Sequence, residues 1–508
     1  MKHRRILSGL AALMLAASLP MSALAREWDI ADGDITIVAD NDGQKVSQGT
    51  ENDISDDNPI IIGNSATNTV SIVAEKDQTA NVTLSGANID GSTKGNAAVS
   101  TTGEGNVSIE LDGDSTLKSG FSHAGLEKNN GGKLTIADED KNGKLTAEGG
   151  KYGAGIGGGD QGAGSGITIT GGEIKATGGQ YGAGIGGGKG AGSDITISGG
   201  EVNATGGTSG AGIGGGYNGN GSDITITDGE VNATGGKYGA GIGGGEYGIG
   251  KDIIITGGEV NATGGRFSAG IGGGSRGTGS DITISGGEVK ATGGVNGAGI
   301  GGGLQGKGKD ITVSGDAKLK VQGGVESWTG GAGAGIGNGG SKADGNQIPG
   351  AEVEPDTSDL TTGWIEYYAP GADMDKDAPS QTIVGTYIPP QPAREAAAPA
   401  QPAAPLYRVT DGDGKDVSYE TTWRDGVLTV TVEADRAVLT GRLSGIASLQ
   451  AQGIERIVFI TKGATSKFLT ADLLAAAPAT ERYALTHDGE AVTFTAGEAD
   501  VSGILVKA

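Results

Sequence analysis

A phrase of Gly, Ala and Ile returns six times between Gly153 and Gly324, at an almost constant interval. Its central isoleucine falls at Ile156, Ile185, Ile213, Ile242, Ile271 and Ile300, giving spacings of 29, 28, 29, 29 and 29 residues. Each block reads approximately GAGIGGG-x-x-G-x-G-S-DITISGG-EVNATGG. A period this strict means stacked units, none of which can bury its apolar face alone. Such a chain offers a long regular surface, which favours binding or scaffolding over one catalytic cavity.

Alternation within a block assigns its faces. In DITIS (194–198), Ile195 and Ile197 point one way while Asp194, Thr196 and Ser198 point the other. In EVNAT (201–205), Val202 and Ala204 oppose Glu201, Asn203 and Thr205, and in GAGIG (182–186) Ala183 and Ile185 are the only side chains. Three short strands per turn with Gly corners describe an all-β fold, a parallel β-helix of about 29 residues per coil. The match of GAGIGG to G-x-G-x-x-G recurs in every block with no helix after it, so a dinucleotide site is excluded.

Residues 1–25 read as a signal peptide, with Lys2, Arg4 and Arg5, an apolar Leu10–Leu15 stretch and an Ala23-Leu24-Ala25 cleavage site. An exported protein is expected, secreted or held at the cell surface, with no membrane insertion after removal of the leader. The formal net charge of −24 becomes −27 once the three positive charges of the leader are gone. Nucleic acid is a poor partner for such a surface; cations, neutral glycans and basic proteins suit it better. The chain has no cysteine, so thiolate chemistry and disulfides are unavailable.

Residues 26–130 are expected to form an N-terminal cap and irregular coils, through phrases such as DITIVA (34–39), NTVSIVA (68–74) and NVSIEL (106–111). Regular glycine-rich coils follow over 131–340, closed by a worn GAGIGNG copy at 333–339. Residues 341–405 read as an irregular segment ending in a Pro/Ala-rich linker. The tail, 406–508, reads as a small α+β domain with strands at 427–432, 454–461, 491–495 and 503–507 and a helix starting at Thr470.

Stacking turns sequence columns into ladders. Asp194, Asp223, Asp252, Asp281 and Asp310 form one acidic column, and Glu173, Glu201, Glu230, Glu259 and Glu288 another. Like charges one rung apart repel by roughly 1 kcal/mol in water; bound Ca²⁺ or simple hydration would relieve this, and Ca²⁺ needs six to eight oxygens. Tyr152, Tyr181, Tyr238 and Phe267 form a broken aromatic column before the GAG or SAG phrase, interrupted by Ser209 and Asn296, with Tyr217 and Tyr247 elsewhere in the coil. An exposed ladder of this kind would meet sugar rings; parity from Ala183 instead turns Tyr181 inward, into a corner stack. A T-x-T/S array (Thr196/Ser198, Thr225/Thr227, Thr283/Ser285) reflects β-propensity more readily than ice binding. The Asn-Ala-Thr sequons at Asn203, Asn232 and Asn261 carry little weight in what reads as a bacterial protein. No catalytic group stands out, because the carboxylates repeat with the coil.

The run NVTLSGANID (81–90), NAAVS (96–100), GNVSIELDGDSTLKSG (105–120) and AGLEKNNGGKLTIA (124–137), followed by the glycine blocks, resembles a known family. It is similar to the bacterial carbohydrate-binding β-helix proteins exported by gut and cellulolytic Firmicutes. The resemblance spans roughly residues 60–340. It implies a right-handed parallel β-helix, likeness to pectate-lyase folds, Ca²⁺, and binding of cell-wall or dietary polysaccharide. No sugar-contacting residue of that family can be matched onto this chain. The resulting expectation is a non-catalytic polysaccharide-binding protein; a surface adhesin or scaffold with a protein partner, and a Ca²⁺-dependent polysaccharide lyase, are the alternatives.

Overall fold

The computed structural model describes residues 25–385 and 407–505, apart from 412, 413, 416, 425, 452, 477–481 and 498. The expected leader (save Ala25) and the Pro/Ala-rich linker lie outside the described residues. Among the described residues no helix is long and apolar enough to cross a membrane. The chain divides into two compact units, residues 1–390 and 391–508.

The first unit is a parallel β-solenoid. One face is a ladder of thirteen strands, of which two, Gly43–Gln48 and Glu51–Ser55, pair antiparallel and the rest stack parallel. In the glycine-rich coils each rung of this face is a two-residue strand, such as Ile185–Gly186, matched to Ile213–Gly214 and then Ile242–Gly243. The DITI and EVNAT phrases supply the other two faces. They are separate strands in most coils, as in Gly250–Ile255 and Glu259–Thr263, and run together as Gly192–Thr205 and Gly221–Thr234.

The alternation holds in every repeat. Ile195, Ile197, Val202, Ala183 and Ile185 have at most 1 % exposure, as do their equivalents Ile224, Ile226, Val231, Ala211 and Ile213. Identical residues meet rung on rung: Ile195 pairs with Ile224, and Ile224 with Ile253. Each fully buried isoleucine contributes on the order of 2 kcal/mol, and stacking in register repeats that gain at every coil.

The glycine columns are a steric requirement. Gly186, Gly214, Gly243, Gly272 and Gly301 all have φ near +127 to +129°, and a Cβ on Gly243 would lie 2.1 Å from the Gly272 carbonyl oxygen. At the next corner a Cβ on Gly207 would lie 1.6 Å from the Gly179 oxygen. Coils pass each other here backbone to backbone, leaving no room for a side chain.

Both ends of the solenoid are closed. At the start, Ile35–Asp40 carries the antiparallel strands Gly43–Gln48 and Glu51–Ser55, and the buried Trp28 indole donates to Asp56 Oδ2 at 2.8 Å. At the far end the structure differs, over its described residues up to 385, from the irregular segment expected within 341–405. Trp364–Tyr368 adds a parallel rung to Lys318–Gln322, and Gln381–Val384 pairs antiparallel on top of it. Ile365 and Leu360 join the common core. The outer neighbour of this last rung is a single antiparallel strand and not another coil, so it needs none of the glycine signature that marks the inner coils.

The second unit holds a five-stranded and a four-stranded sheet with two short helices. Val427–Thr431, Arg456–Ile460 and Ala491–Ala496 fall where strands are expected, and the helix Thr470–Ala476 begins at the expected residue. Another helix, Leu443–Ala451, has no Ser, Thr, Asp or Asn immediately before it to signal its start, and it ends at Gly453, whose φ of +86° lets the Ile454 amide donate to the Leu449 carbonyl at 3.0 Å. Of the strand expected at 503–507, the described residues 503–505 belong to no sheet: Ser502–Ile504 is a 3₁₀ turn whose Ser502 Oγ accepts from the Phe494 amide at 3.1 Å, and 506–507 lie outside the described residues.

Candidate binding surface

Seven aromatic side chains of the coils, Phe121, Tyr152, Tyr181, Tyr217, Tyr238, Tyr247 and Phe267, gather on the outside of the solenoid, apart from the core. Tyr152 and Tyr181 stack with ring centroids 5.1 Å apart and planes 13° from parallel. Phe121 meets Tyr152 edge-on at 5.0 Å, Tyr217 meets Tyr181 at 5.5 Å, and Tyr247 meets Tyr217 at 6.2 Å. Tyr238 and Phe267 form a second stack at 5.8 Å and 14°. The four aromatic residues of the expected column thus sit in two stacks and are half-buried, neither core nor free.

Two positions of the coil combine to build this row, which the sequence column does not show. The turn after each GGG folds back against the corner before the GAG phrase: the Tyr217 amide donates to the Tyr181 carbonyl at 2.8 Å. Tyr217 therefore continues the row where Ser209 interrupts the column. Ser209 is itself buried and donates to Glu246 Oε2 at 2.7 Å. At the second interruption Asn296 is fully buried, and its amide donates to the carbonyls of Gly330 and Gly331 at 2.7 Å each.

Cations line the same corner, and none was singled out from sequence. Lys151 Nζ lies 5.2 Å from the ring centres of both Phe121 and Tyr152, and Lys189 Nζ lies 5.7 Å from Tyr152. Lys237 sits 4.8 Å from Tyr238, Arg266 5.1 Å from Phe267, and Arg276 5.8 Å from Tyr247. Such contacts are worth about 0.5–1 kcal/mol each at exposed sites.

The aspartate column has a backbone explanation that sequence reasoning did not weigh. Asp194, Asp223, Asp252, Asp281 and Asp310 all adopt φ between 50 and 54°, and Gly166 holds the equivalent place one coil earlier with φ +67°. This is a left-handed kink within the strand, two residues after its first glycine, where Asp is tolerated because its short polar side chain can hydrogen-bond locally. Two members are neutralised locally, by Lys251 at 3.0 Å from Asp252 and Lys309 at 2.7 Å from Asp310. The hydrogen bond to the carboxylate raises the ammonium pKa of each lysine above its ordinary value. In the glutamate column Lys144 pairs with Glu173 at one end, and Lys318 stands in register beyond Glu288 at the other.

The sequon asparagines form an amide ladder: Asn232 Nδ2 donates to Asn203 Oδ1 at 3.2 Å, and Asn261 Nδ2 to Asn232 Oδ1 at 3.1 Å.

Three carboxylates converge away from the Asp column. Glu110, Asp138 and Asp140 bring one oxygen each within 4.8 Å of one another. Burial raises the Glu110 pKa, and burial followed by the hydrogen bond with Asp138 raises that of Asp140. This is the group of described residues best arranged to hold a cation. Beside it an open groove of about 610 Å³ crosses the glycine corner, lined by Asp114, Lys141, Lys144, Glu173, Glu201 and Asp228 among others.

The repeat breaks most sharply at Glu127 and Lys128, where glycines stand in later coils. Glu127 occupies the rung position of Gly157. Its carboxylate accepts from the Ala124 amide at 2.9 Å and Asn129 Nδ2 at 2.7 Å, and pairs with His123 Nδ1 at 2.8 Å. Lys128 is 4 % exposed and donates to the Asn130 carbonyl at 2.7 Å; burial lowers its pKa. The set is enclosed and internally satisfied, so it plugs the coil that first meets the glycine-rich array.

Comparison with known proteins is limited to the repeats. Residues 141–160, 167–189, 195–217, 224–246, 253–275 and 282–304 match the model of the beta helix repeat family. No curated protein and no solved structure matches the chain. The six matched segments fall on the stacked coils that carry the aromatic corner from Tyr152 to Phe267, and within residues 141–304 the chain is similar to beta helix repeats.

Proposed function

We propose that this is an exported, non-catalytic protein that binds polysaccharide along the aromatic corner of its solenoid. The observation that carries this reading is the row running from Phe121 through Tyr152, Tyr181 and Tyr217 to Tyr247, one ring against the next on the outside of the coils. Packing within the coil does not require it, because the apolar core is completed by Ile, Val, Leu and Ala. Rungs roughly 4.8 Å apart give the row a length suited to several sugar residues of an extended chain.

Phe121 and Tyr247, 58 % and 46 % exposed, are the rings open enough for a sugar to stack on. The remaining contacts come from phenol hydroxyls and the flanking cations. A non-catalytic role is favoured because the hydroxyls and carboxylates of the DITI and EVNAT faces recur with the glycine-rich coils, while the singular Glu127–Lys128 pair is buried. The test is affinity electrophoresis of the full chain against a panel of soluble polysaccharides, beside Phe121→Ala, Tyr181→Ala and Tyr247→Ala. Retarded migration of the wild type that is lost in the variants is expected. Unretarded migration of the folded wild type on every polysaccharide refutes the reading.

A further inference from the structure

We infer that the polysaccharide taken by this corner is anionic, and that it is held directly by the corner's own cations without a bridging metal ion. The inference rests on the reading above and adds the chemistry of the ligand. Three observations carry it.

First, the rings in the middle of the row have little free face. Tyr152 and Tyr181 cover one another, as do Tyr238 and Phe267, and Lys151 and Lys189 lean on Tyr152. A neutral glycan binds aromatic rows chiefly by laying sugar faces on ring faces, and here that mode is confined to Phe121 and Tyr247. The middle of the row presents edges, phenol hydroxyls and charged nitrogens, which are hydrogen-bond donors seeking acceptors.

Second, the cations of the corner are uncommitted. Lys144, Lys251, Lys290, Lys309 and Lys320 are held in ion pairs with carboxylates elsewhere on the solenoid. Among the described residues, Lys151, Lys189, Lys237, Arg266 and Arg276 form no ion pair and rest against aromatic rings. Asp160 and Glu246 are the carboxylates of the adjoining turns, and Glu246 is engaged by Ser209. The corner is thus locally positive on a chain of formal net charge −24.

Third, the aspartate column, where a metal bridge to an anionic glycan would be sought, is explained by left-handed backbone, and Asp252 and Asp310 are paired with lysines as well. Acidic polymers would be repelled from that face and admitted at the corner, which gives direction as well as affinity. A nucleic acid shares the charge but needs open ring faces for its bases, and the stacked pairs deny them.

The experiment measures binding of the full chain in EDTA to polygalacturonate, dextran sulfate, uncharged dextran, a neutral β-glucan and single-stranded DNA. It is repeated from about 50 to 500 mM salt, a range over which the screening length falls from above 10 Å to about 4 Å. Binding of one or both anionic polysaccharides, weakened at least tenfold at high salt, is expected; the two separate carboxylate from sulfate recognition. The variant Lys151→Gln/Lys237→Gln/Arg266→Gln/Arg276→Gln keeps all the rings and should lose at least tenfold in affinity. Lys309→Gln/Lys320→Gln, distant in role but equal in kind, should bind as wild type, and circular dichroism confirms that both variants fold. Salt-insensitive binding to a neutral glycan equal to that of the anionic ones overturns the inference but leaves the polysaccharide reading intact. DNA bound more tightly than either anionic polysaccharide, or anionic binding abolished by EDTA, also overturns it. Absence of binding to every polysaccharide refutes both.

Discussion

His487 makes the stability of the C-terminal unit depend on pH in a calculable way. Its ring is fully buried against Phe459, with centroids 4.6 Å apart, and each nitrogen meets a hydroxyl: Nδ1 to Thr461 Oγ1 at 3.0 Å and Nε2 to Ser466 Oγ at 2.8 Å. Burial lowers its pKa from 6.5 to about 4. The unfolded chain therefore takes up the proton first as the pH falls. Stability is fully present above about pH 6.5, declines through that window, and reaches its floor below about pH 4. The gap between 6.5 and about 4 corresponds to roughly 3 kcal/mol at about 1.4 kcal/mol per pH unit. Small domains have about 5–15 kcal/mol in total, so this is a large fraction. Pulse proteolysis of the whole protein along a urea series, with detection of the C-terminal fragment, measures the unit in place. His487→Gln keeps a hydrogen-bonding side chain that cannot ionise, and the wild-type profile minus the variant profile isolates the histidine from the carboxylates. The difference should approach roughly 3 kcal/mol between pH 7 and pH 4. Parallel profiles for the two proteins would show that His487 is hydrated or already charged in the fold, and the reasoning would be wrong.

The solenoid allows three further tests. Gly207→Ala places a Cβ 1.6 Å from the Gly179 oxygen, so thermal unfolding should show a loss of more than about 2 kcal/mol, while Gly131→Ala, whose Cβ would find its nearest atom at 3.4 Å, should show almost none. If the Asp column exists for its left-handed backbone, Asp223→Asn and Asp223→Gly should stay within about 0.5 kcal/mol of wild type and Asp223→Val should cost about 1–2 kcal/mol. Calcium should leave the Tm of wild type and Asp223→Asn equally unmoved; a rise specific to wild type would mean that the column binds the ion. Asn232→Ala removes both links of the amide ladder and should lower stability by about 1–2 kcal/mol in urea titrations, whereas a neutral result would mean that water replaces them.

Much of the solenoid is legible in the sequence, because each coil repeats one local solution. The period gives the stacking, the alternation at Ile195/Ile197 and Val202/Ala204 gives the inward side, and the register follows from like residues meeting like. Capping strands are less legible. Trp364–Tyr368 shares no phrase with the repeats, since its outer neighbour is the antiparallel strand Gln381–Val384 and not another coil. Helix Leu443–Ala451 depends on the tail's own core, through Leu443, Ile446 and Leu449, and lacks a local start signal.

The candidate surface divides in the same way. The sequence by itself determined that Tyr152, Tyr181, Tyr238 and Phe267 share one column and that the aspartates share another. Tertiary structure decided what those columns mean. Tyr217 and Tyr247 reach the row because the turn after GGG folds back onto the corner, and the lysines and arginines meet rings contributed from different positions of the coil. The aspartate column follows from backbone torsion, which residue type alone does not specify. Periodicity is the sum of identical neighbour interactions and so is written along the chain; the corner is built by contacts between unlike positions, which exist only once the coils have closed.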